Sequence, residues 1–127
     1  MDWFDSISSN LLEKDLDGLW LRQQTISENI ANVETPNYKS KTVNFEDTLT
    51  SLLSSNPNEK QLIEGIDETE ATIVESDNET LRTDGNNVDV ENENIELART
   101  QLNYLYSLRG LTDYYSRIRY AVTDGKS

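Results

Sequence analysis

The residues that usually carry chemistry are either missing from this chain or too abundant to inform. Its 127 residues include no His and no Cys. That removes the imidazole general base, the Ser–His and Cys–His nucleophile pairs, any disulfide and any Cys/His zinc site. What remains is carboxylate: 24 Asp and Glu against 11 Lys and Arg, a formal charge of −13. Carboxylates can hold calcium or magnesium. The best string for that is Asp84-Gly85-Asn86-Asn87-Val88-Asp89. It resembles the start of a calcium loop, but Asp89 stands where an EF-hand needs Gly, and Val88 where it needs an oxygen ligand. The same residues suit a turn into a helix N-cap. Acid/base chemistry on a sugar needs two carboxylates in a cleft, and no other catalytic string (GxGxxG, Walker loop, GxSxG) occurs. The expectation is therefore no enzyme, no cofactor and no metal. A field this negative also repels phosphate backbones, so no nucleic-acid partner is expected.

The remaining positional signal is Tyr with Arg. Five of the six tyrosines (Tyr104, Tyr106, Tyr114, Tyr115, Tyr120) fall in the last quarter of the chain, with Arg99, Arg109, Arg117 and Arg119. These types favour protein interfaces. What they could contact depends on the elements that carry them.

Charge and hydropathy divide the chain into three. Residues 1–38 carry net −5, residues 39–87 net −7 and residues 88–127 net −1. The middle is poor in apolar residues and the ends hold the hydrophobic surface, so the expected segments are an N-terminal helix and turn (1–38), a polar acidic middle (39–87) and a long C-terminal helix (88–127). The mean hydropathy is −0.71, so a chain this short buries only a thin core alone. No apolar run approaches the ~20 residues needed to span a bilayer, and the N-terminus lacks the pattern of a cleaved signal.

The first helix is expected over about 9–33, capped by Ser8, Ser9 or Asn10 and stopped before Pro36. Leu12, Leu16, Leu19, Gln23, Ile26, Ile30 and Val33 follow one another at alternating spacings of four and three, the coiled-coil period. Trp20 lies just off that stripe, and the sequence leaves open whether it edges the core or meets another chain. The second helix is expected over about 90–122, with Asp89 as N-cap. Its stripe is Leu97, Gln101, Tyr104, Leu108, Leu111, Tyr115, Ile118 and Val122. A second stripe, Ile95, Ala98, Leu102 and Leu105, lies beside it, and Tyr106, Tyr114 and Tyr120 point off the first. One antiparallel pairing of the terminal helices cannot cover both stripes. The second stripe and the off-stripe tyrosines are therefore the candidates for contacts between subunits. The fold class is mainly α, coiled-coil-like, with a small irregular or β-containing insert. Within that insert, 41–45 reads as a weak strand and 46–53 as a helical turn or two. Residues 59–79 read as solvated or mobile, and 71–75 could form a hairpin with 80–83.

The most specific string is Asn29-Ile30-Ala31-Asn32-Val33-Glu34-Thr35-Pro36-Asn37-Tyr38-Lys39: a helix end, a tight reversal and an extended start. It resembles the ANxxTPGY signature of the bacterial flagellar rod, hook and hook-associated family. Residues 85–91 (GNNVDVE) and 97–104 (LARTQLNY) resemble the C-terminal helix of that family's smallest member, and YKSKTVNFEDTL after the signature agrees. The likeness covers roughly 25–50 and 84–122. One departure stands out: Asn37 occupies the usual Gly, a substitution that tolerates the same backbone at small cost.

The resemblance implies a structural subunit of the proximal flagellar rod. Such a subunit packs its terminal helices into a helical tube that transmits torque and lines the export channel. It is exported without a cleaved signal peptide and neighbours other rod subunits and the adaptor joining rod to membrane ring and export gate. Asn29, Ala31, Asn32, Thr35, Pro36, Asn37 and Tyr38 would then form the assembly signature turn. The competing expectation is a soluble acidic helical module that shields a basic partner.

Overall fold

The structure is a computed structural model, and it describes residues 3–77 and 82–124. Six elements follow in order: α1 (Trp3–Ala31), β1 (Lys41–Asn44), α2 (Glu46–Ser54), α3 (Glu59–Glu68), β2 (Thr72–Glu75) and α4 (Val90–Asp124). The architecture is mainly α. The two terminal helices pack against each other, and the other four elements sit to one side as a small insert.

α1 starts earlier than its sequence pattern suggests. Ser8, Ser9 and Asn10 are helix interior rather than caps, because the helix continues back through Ile7, which is buried. At the other end the helix stops at Ala31, and a series of tight turns follows: Val33 N–H bonds Ile30 O (3.3 Å) and Thr35 N–H bonds Asn32 O (3.0 Å). α4 opens where Asp89 predicts, the carboxylate accepting the Asn92 N–H (3.2 Å). The helices run antiparallel. Asn29 meets Glu93, the Trp20 ring lies 6.2 Å from that of Tyr104, and Leu12 packs beside Gly110.

The insert is more ordered than its charge suggests. Residues 59–68 form a helix, largely exposed, that Asn58 and Gln61 open with a reciprocal capping box, a device that satisfies two otherwise orphaned N–H groups. Ile66 is then fully buried. The expected hairpin of 71–75 with 80–83 is also replaced. β2 pairs antiparallel with β1, Lys41 opposite Glu75 and Asn44 opposite Thr72. Residues 80 and 81 lie outside the described residues, and 82–84 turn. Pairing with β1 wins because it puts Val43 in the core while Thr42 faces out.

The core is small: Leu19, Val43 and Phe45, with Leu21, Leu49, Ala71 and Tyr104 against it. Gly18 makes it possible. A Cβ there would stand 2.5 Å from the Phe45 ring, so the ring seats directly on the α1 backbone. Arg22 closes the other side, stacked 5.1 Å over the Phe45 ring. It forks onto Glu46 with Nη2–Oε2 at 2.7 Å and reaches Val43 O at 2.9 Å. That bidentate pair secures the first turn of α2, where Phe45 supplies no side-chain cap.

Candidate functional site

The signature turn is held by two buried asparagines. Asn29, at the end of α1, is 0 % exposed and uses all its hydrogen-bonding capacity. Its Nδ2 donates to Lys41 O (2.8 Å) and Glu93 Oε2 (3.1 Å). Its Oδ1 accepts from Lys41 N–H (2.9 Å) and the Tyr38 hydroxyl (3.1 Å). One side chain thus ties α1, the turn, β1 and the start of α4. Asn86, also 0 % exposed, holds the turn from beyond. Its Nδ2 donates to Asn32 O and Thr35 O, both at 2.8 Å, and its Oδ1 accepts from Val88 N–H (2.9 Å).

Around these two the strands of the turn knit to residues 84–87. Asn37 N–H donates to Asp84 O (2.7 Å), Ser40 N–H to Asn87 Oδ1 (2.7 Å), and Lys39 Nζ to Gly85 O. Asn37 sits at φ 63° and Gly85 at φ 79°, the left-handed region that favours Gly and Asn. The two sequence motifs are therefore one clasp. Both strings are visible in the sequence but their contact is not, and Glu93 carries no local mark beyond being an acid in the first turn of α4. Of the turn residues named above, Asn29, Asn32, Thr35, Asn37 and Tyr38 bond within the clasp. Ala31 and Pro36 are exposed.

The calcium-like string has this other employment. Asp84 Oδ1 accepts Asn86 N–H (3.0 Å) and Asp89 Oδ1 accepts Asn92 N–H. No group of three metal-ligating side chains occurs among the described residues. Glu93 is the one buried carboxylate of the clasp. Burial pushes its pKa up, partly offset by the Asn29 hydrogen bond.

The helix-pairing stripe needs a correction on α4. On α1, Leu12, Leu16, Leu19, Ile26 and Ile30 are buried or half-buried, and Val33, expected on the helix, is half-buried in the turn beyond its end. On α4, Leu97, Tyr104, Leu111 and Ile118 likewise turn inward, but Leu108, Tyr115 and Val122 are exposed. The inward positions between them are Glu93, Thr100, Ser107 and Tyr114. The seam is rotated by one residue because its polar members find partners on α1: Glu93 bonds Asn29, and Ser107 bonds Asp15. Tyr114, expected to point away, shares the phase of this seam. The Tyr115 hydroxyl donates to Glu13 on α1 (3.0 Å).

That rotation leaves the opposite face of α4 bare. Ile95, Ala98, Leu102 (51 % exposed), Leu105, Tyr106 (67 %) and Tyr120 (72 %) all lie on it. No other described element covers this row, and exposed apolar patches of this kind mark interaction surfaces. Trp20 projects from the opposite edge of the pair, 51 % exposed. The site is thus a surface rather than a pocket with convergent chemistry, and paired terminal helices with a clasped turn define a structural, assembly-type subunit.

Comparison with known proteins agrees. No family model matches the chain. The chain is 33 % identical over 130 residues to the flagellar basal body rod protein FlgB of Bacillus subtilis, covering 99 % of this chain and 100 % of that one. It is 36 % identical to the protein of the same name from Borrelia hermsii over 80 % of its own length, and 32 % identical to that of Borreliella burgdorferi over 81 %. The chain belongs to the FlgB family of flagellar basal-body rod proteins.

Proposed function

We propose that the protein is a non-catalytic building block of the proximal rod, located in the flagellar basal body and assembling through its terminal helices into a helical tube. The observation that carries this is the apolar outer face of α4, which no other described element of the subunit covers. A surface of this kind meets a neighbour when the subunit assembles. The paired helices form the wall, torque passes along it, and the export channel runs inside. Segment 1–38 supplies one wall helix and the turn, 88–127 the other, and the acidic 39–87 insert lies outside. The clasp fixes the angle at which α1 leaves the wall. The partners are other rod subunits and the adaptor between rod, ring and export gate. No helix among the described residues is long and apolar enough to cross a membrane.

A deletion strain provides the test. Loss of hook–basal bodies, restored by the intact gene, is the expected result. A strain that still builds complete hook–basal bodies overturns the proposal.

A further inference from the structure

We propose that the free edge of β2 takes up an extended, basic segment of a different protein as a third strand. The insert makes this contact, not the terminal helices, and it does not depend on the rod reading above.

The two edges of the sheet differ. Ser76 N–H donates to Ser40 O (2.8 Å), and Lys41 stands opposite Glu75. In an antiparallel ladder of that register, Thr42 bonds Val74 and Asn44 bonds Thr72, while Lys41, Val43, Ile73 and Glu75 turn their main-chain groups outward. On β1 the outward groups are taken. Asn29 bonds both the N–H and the C=O of Lys41, and Arg22 bonds Val43 O. On β2 the N–H and C=O of Ile73 and Glu75 meet no partner among the described residues. Natural edges are blunted with Pro, Lys or a bulge. Thr72-Ile73-Val74-Glu75 has no Pro, no Lys and an unbroken register.

Both faces of β2 are open as well. Ile73 lies on the same face as the buried Val43 and is still 51 % exposed, while Val74, on the other face, is 49 % exposed. An added strand covers each with an alternate side chain. An edge that only has to stay unpaired gains nothing from β-branched apolar residues on both faces. Charge selects the occupant. Asp67, Glu68, Glu70, Glu75 and Asp77 are all exposed, and residues 67–77 hold no base. Lys14 and Lys41 approach this segment from inside the subunit, Lys14 donating to Asp67 O (2.8 Å) and Lys41 opposing Glu75. Neither forms an ion pair with these five acids among the described residues. A second copy pairing through β2 would set the same five acids against them, and like charges across a strand pair repel. A strand with a β-branched centre flanked by Lys or Arg meets both the apolar faces and the charge.

The purified full chain is titrated with an end-blocked peptide, Lys-Lys-Thr-Val-Val-Thr-Lys-Lys, and followed by NMR. Saturable binding is expected, with amide exchange slowed at Ile73 and Glu75 and affinity falling as salt rises. The same peptide with Glu in place of every Lys is expected not to bind. Backbone N-methylation then separates strand addition from attraction of charge. Methyl groups go on the second, fourth and sixth peptide residues, or on the third, fifth and seventh. Only one set turns its N–H towards β2, so one methylated peptide is expected to lose binding and the other to keep it. Ile73→Pro removes an outward N–H without touching a bond to β1, and is expected to weaken binding about tenfold. Should that variant fold poorly, the methylated peptides decide on the native chain. No saturable binding overturns the inference. So does equal binding of the acidic peptide, binding that both methylated peptides keep, or slowed exchange confined to residues outside 72–76. Signals of Ile73 and Glu75 that shift with the concentration of the chain itself, before peptide is added, would make the occupant a second copy and overturn it too.

Discussion

The clasp and the outer face of α4 invert the usual arrangement in opposite ways. The clasp buries amides and a carboxylate. The outer face leaves Ile95, Leu102, Leu105 and two tyrosines in water. Buried polar groups cost little only when fully bonded, and Asn29 and Asn86 are. Exposed apolar groups cost little to the folded subunit, since they gain nothing by folding. The difference separates two jobs. Polar residues inside fix one geometry of the turn, because their bonds are directional. Apolar residues outside contribute nothing to that geometry; in the proposed function they are the contact with a neighbouring subunit.

Breaking the clasp is expected to have the largest effect on stability. Asn29→Ala strands the Lys41 N–H and C=O, the Tyr38 hydroxyl and the Glu93 carboxylate. At about 1–3 kcal/mol for each buried group left unmade, a loss of about 3 kcal/mol or more follows. Urea unfolding of the purified chain measures it. A midpoint close to the native one would show the clasp to be ornamental. Gly18→Ala comes next. The new methyl collides with the Phe45 ring, and overpacking of this kind costs about 1–3 kcal/mol. Ala favours the helix over Gly, so a net loss reports the collision, and a compensating Phe45→Leu in the same chain is expected to recover part of it.

Asn37 gives a smaller, signed effect. At φ 63° a Cβ-bearing residue without a short polar side chain is strained by about 1–2 kcal/mol. Asn37→Ala is thus expected to lower the thermal midpoint and Asn37→Gly to leave it nearly unchanged. Equal losses from both would mean that the Asn side chain, not the backbone, matters at this position.

What the sequence revealed divides along the same line. The two long helices were legible because apolar periodicity is a local signal, and so were the signature turn and the Asp89 cap. α3 was hidden by its charge, although the Asn58–Gln61 box was there to be read. The clasp was out of reach for a physical reason. Asn29 bonds Glu93 across 64 residues, and Asn86 bonds Asn32 across 54, so nothing local distinguishes either from a surface amide. The same blindness misplaced the α4 seam. Thr100 and Ser107 are polar, so apolar periodicity runs the stripe through Leu108 and Tyr115 instead. The exposed second stripe was found only because it was left over.

On the outer face the expected stability change is near zero. Leu102→Asp is expected to stay within about 0.5 kcal/mol of the native chain, as exposed substitutions do, while abolishing assembly. The contrast with Asn29→Ala is the point: one variant unfolds before it can assemble, the other folds and cannot assemble. A large drop in the unfolding midpoint of Leu102→Asp would mean that this face is covered within the single subunit.

The smallest effect is a pH slope, and two glutamates give it opposite signs. Burial raises the pKa of Glu93, the Asn29 bond offsetting only part of it. Its folded form therefore holds a proton more tightly than the unfolded chain does. The stability it contributes is fully present below the ordinary Glu value of 4.5 and is lost as pH rises through the raised one. For Glu46, burial also pushes upward, but the Arg22 hydrogen bonds and charge outweigh it and the pKa falls. Its contribution is present above the ordinary value and is lost as pH drops through the lowered one. Glu93→Gln keeps an oxygen to accept from Asn29 and removes the charge. It is expected to raise the unfolding midpoint slightly at neutral pH and to flatten the slope just above pH 4.5, while Glu46→Gln flattens it just below. Should Glu93→Gln destabilise the protein at every pH, the charge on Glu93 is itself part of the clasp. The buried corner where α1, β1 and α4 meet then depends on an ionised carboxylate and not on a neutral acceptor.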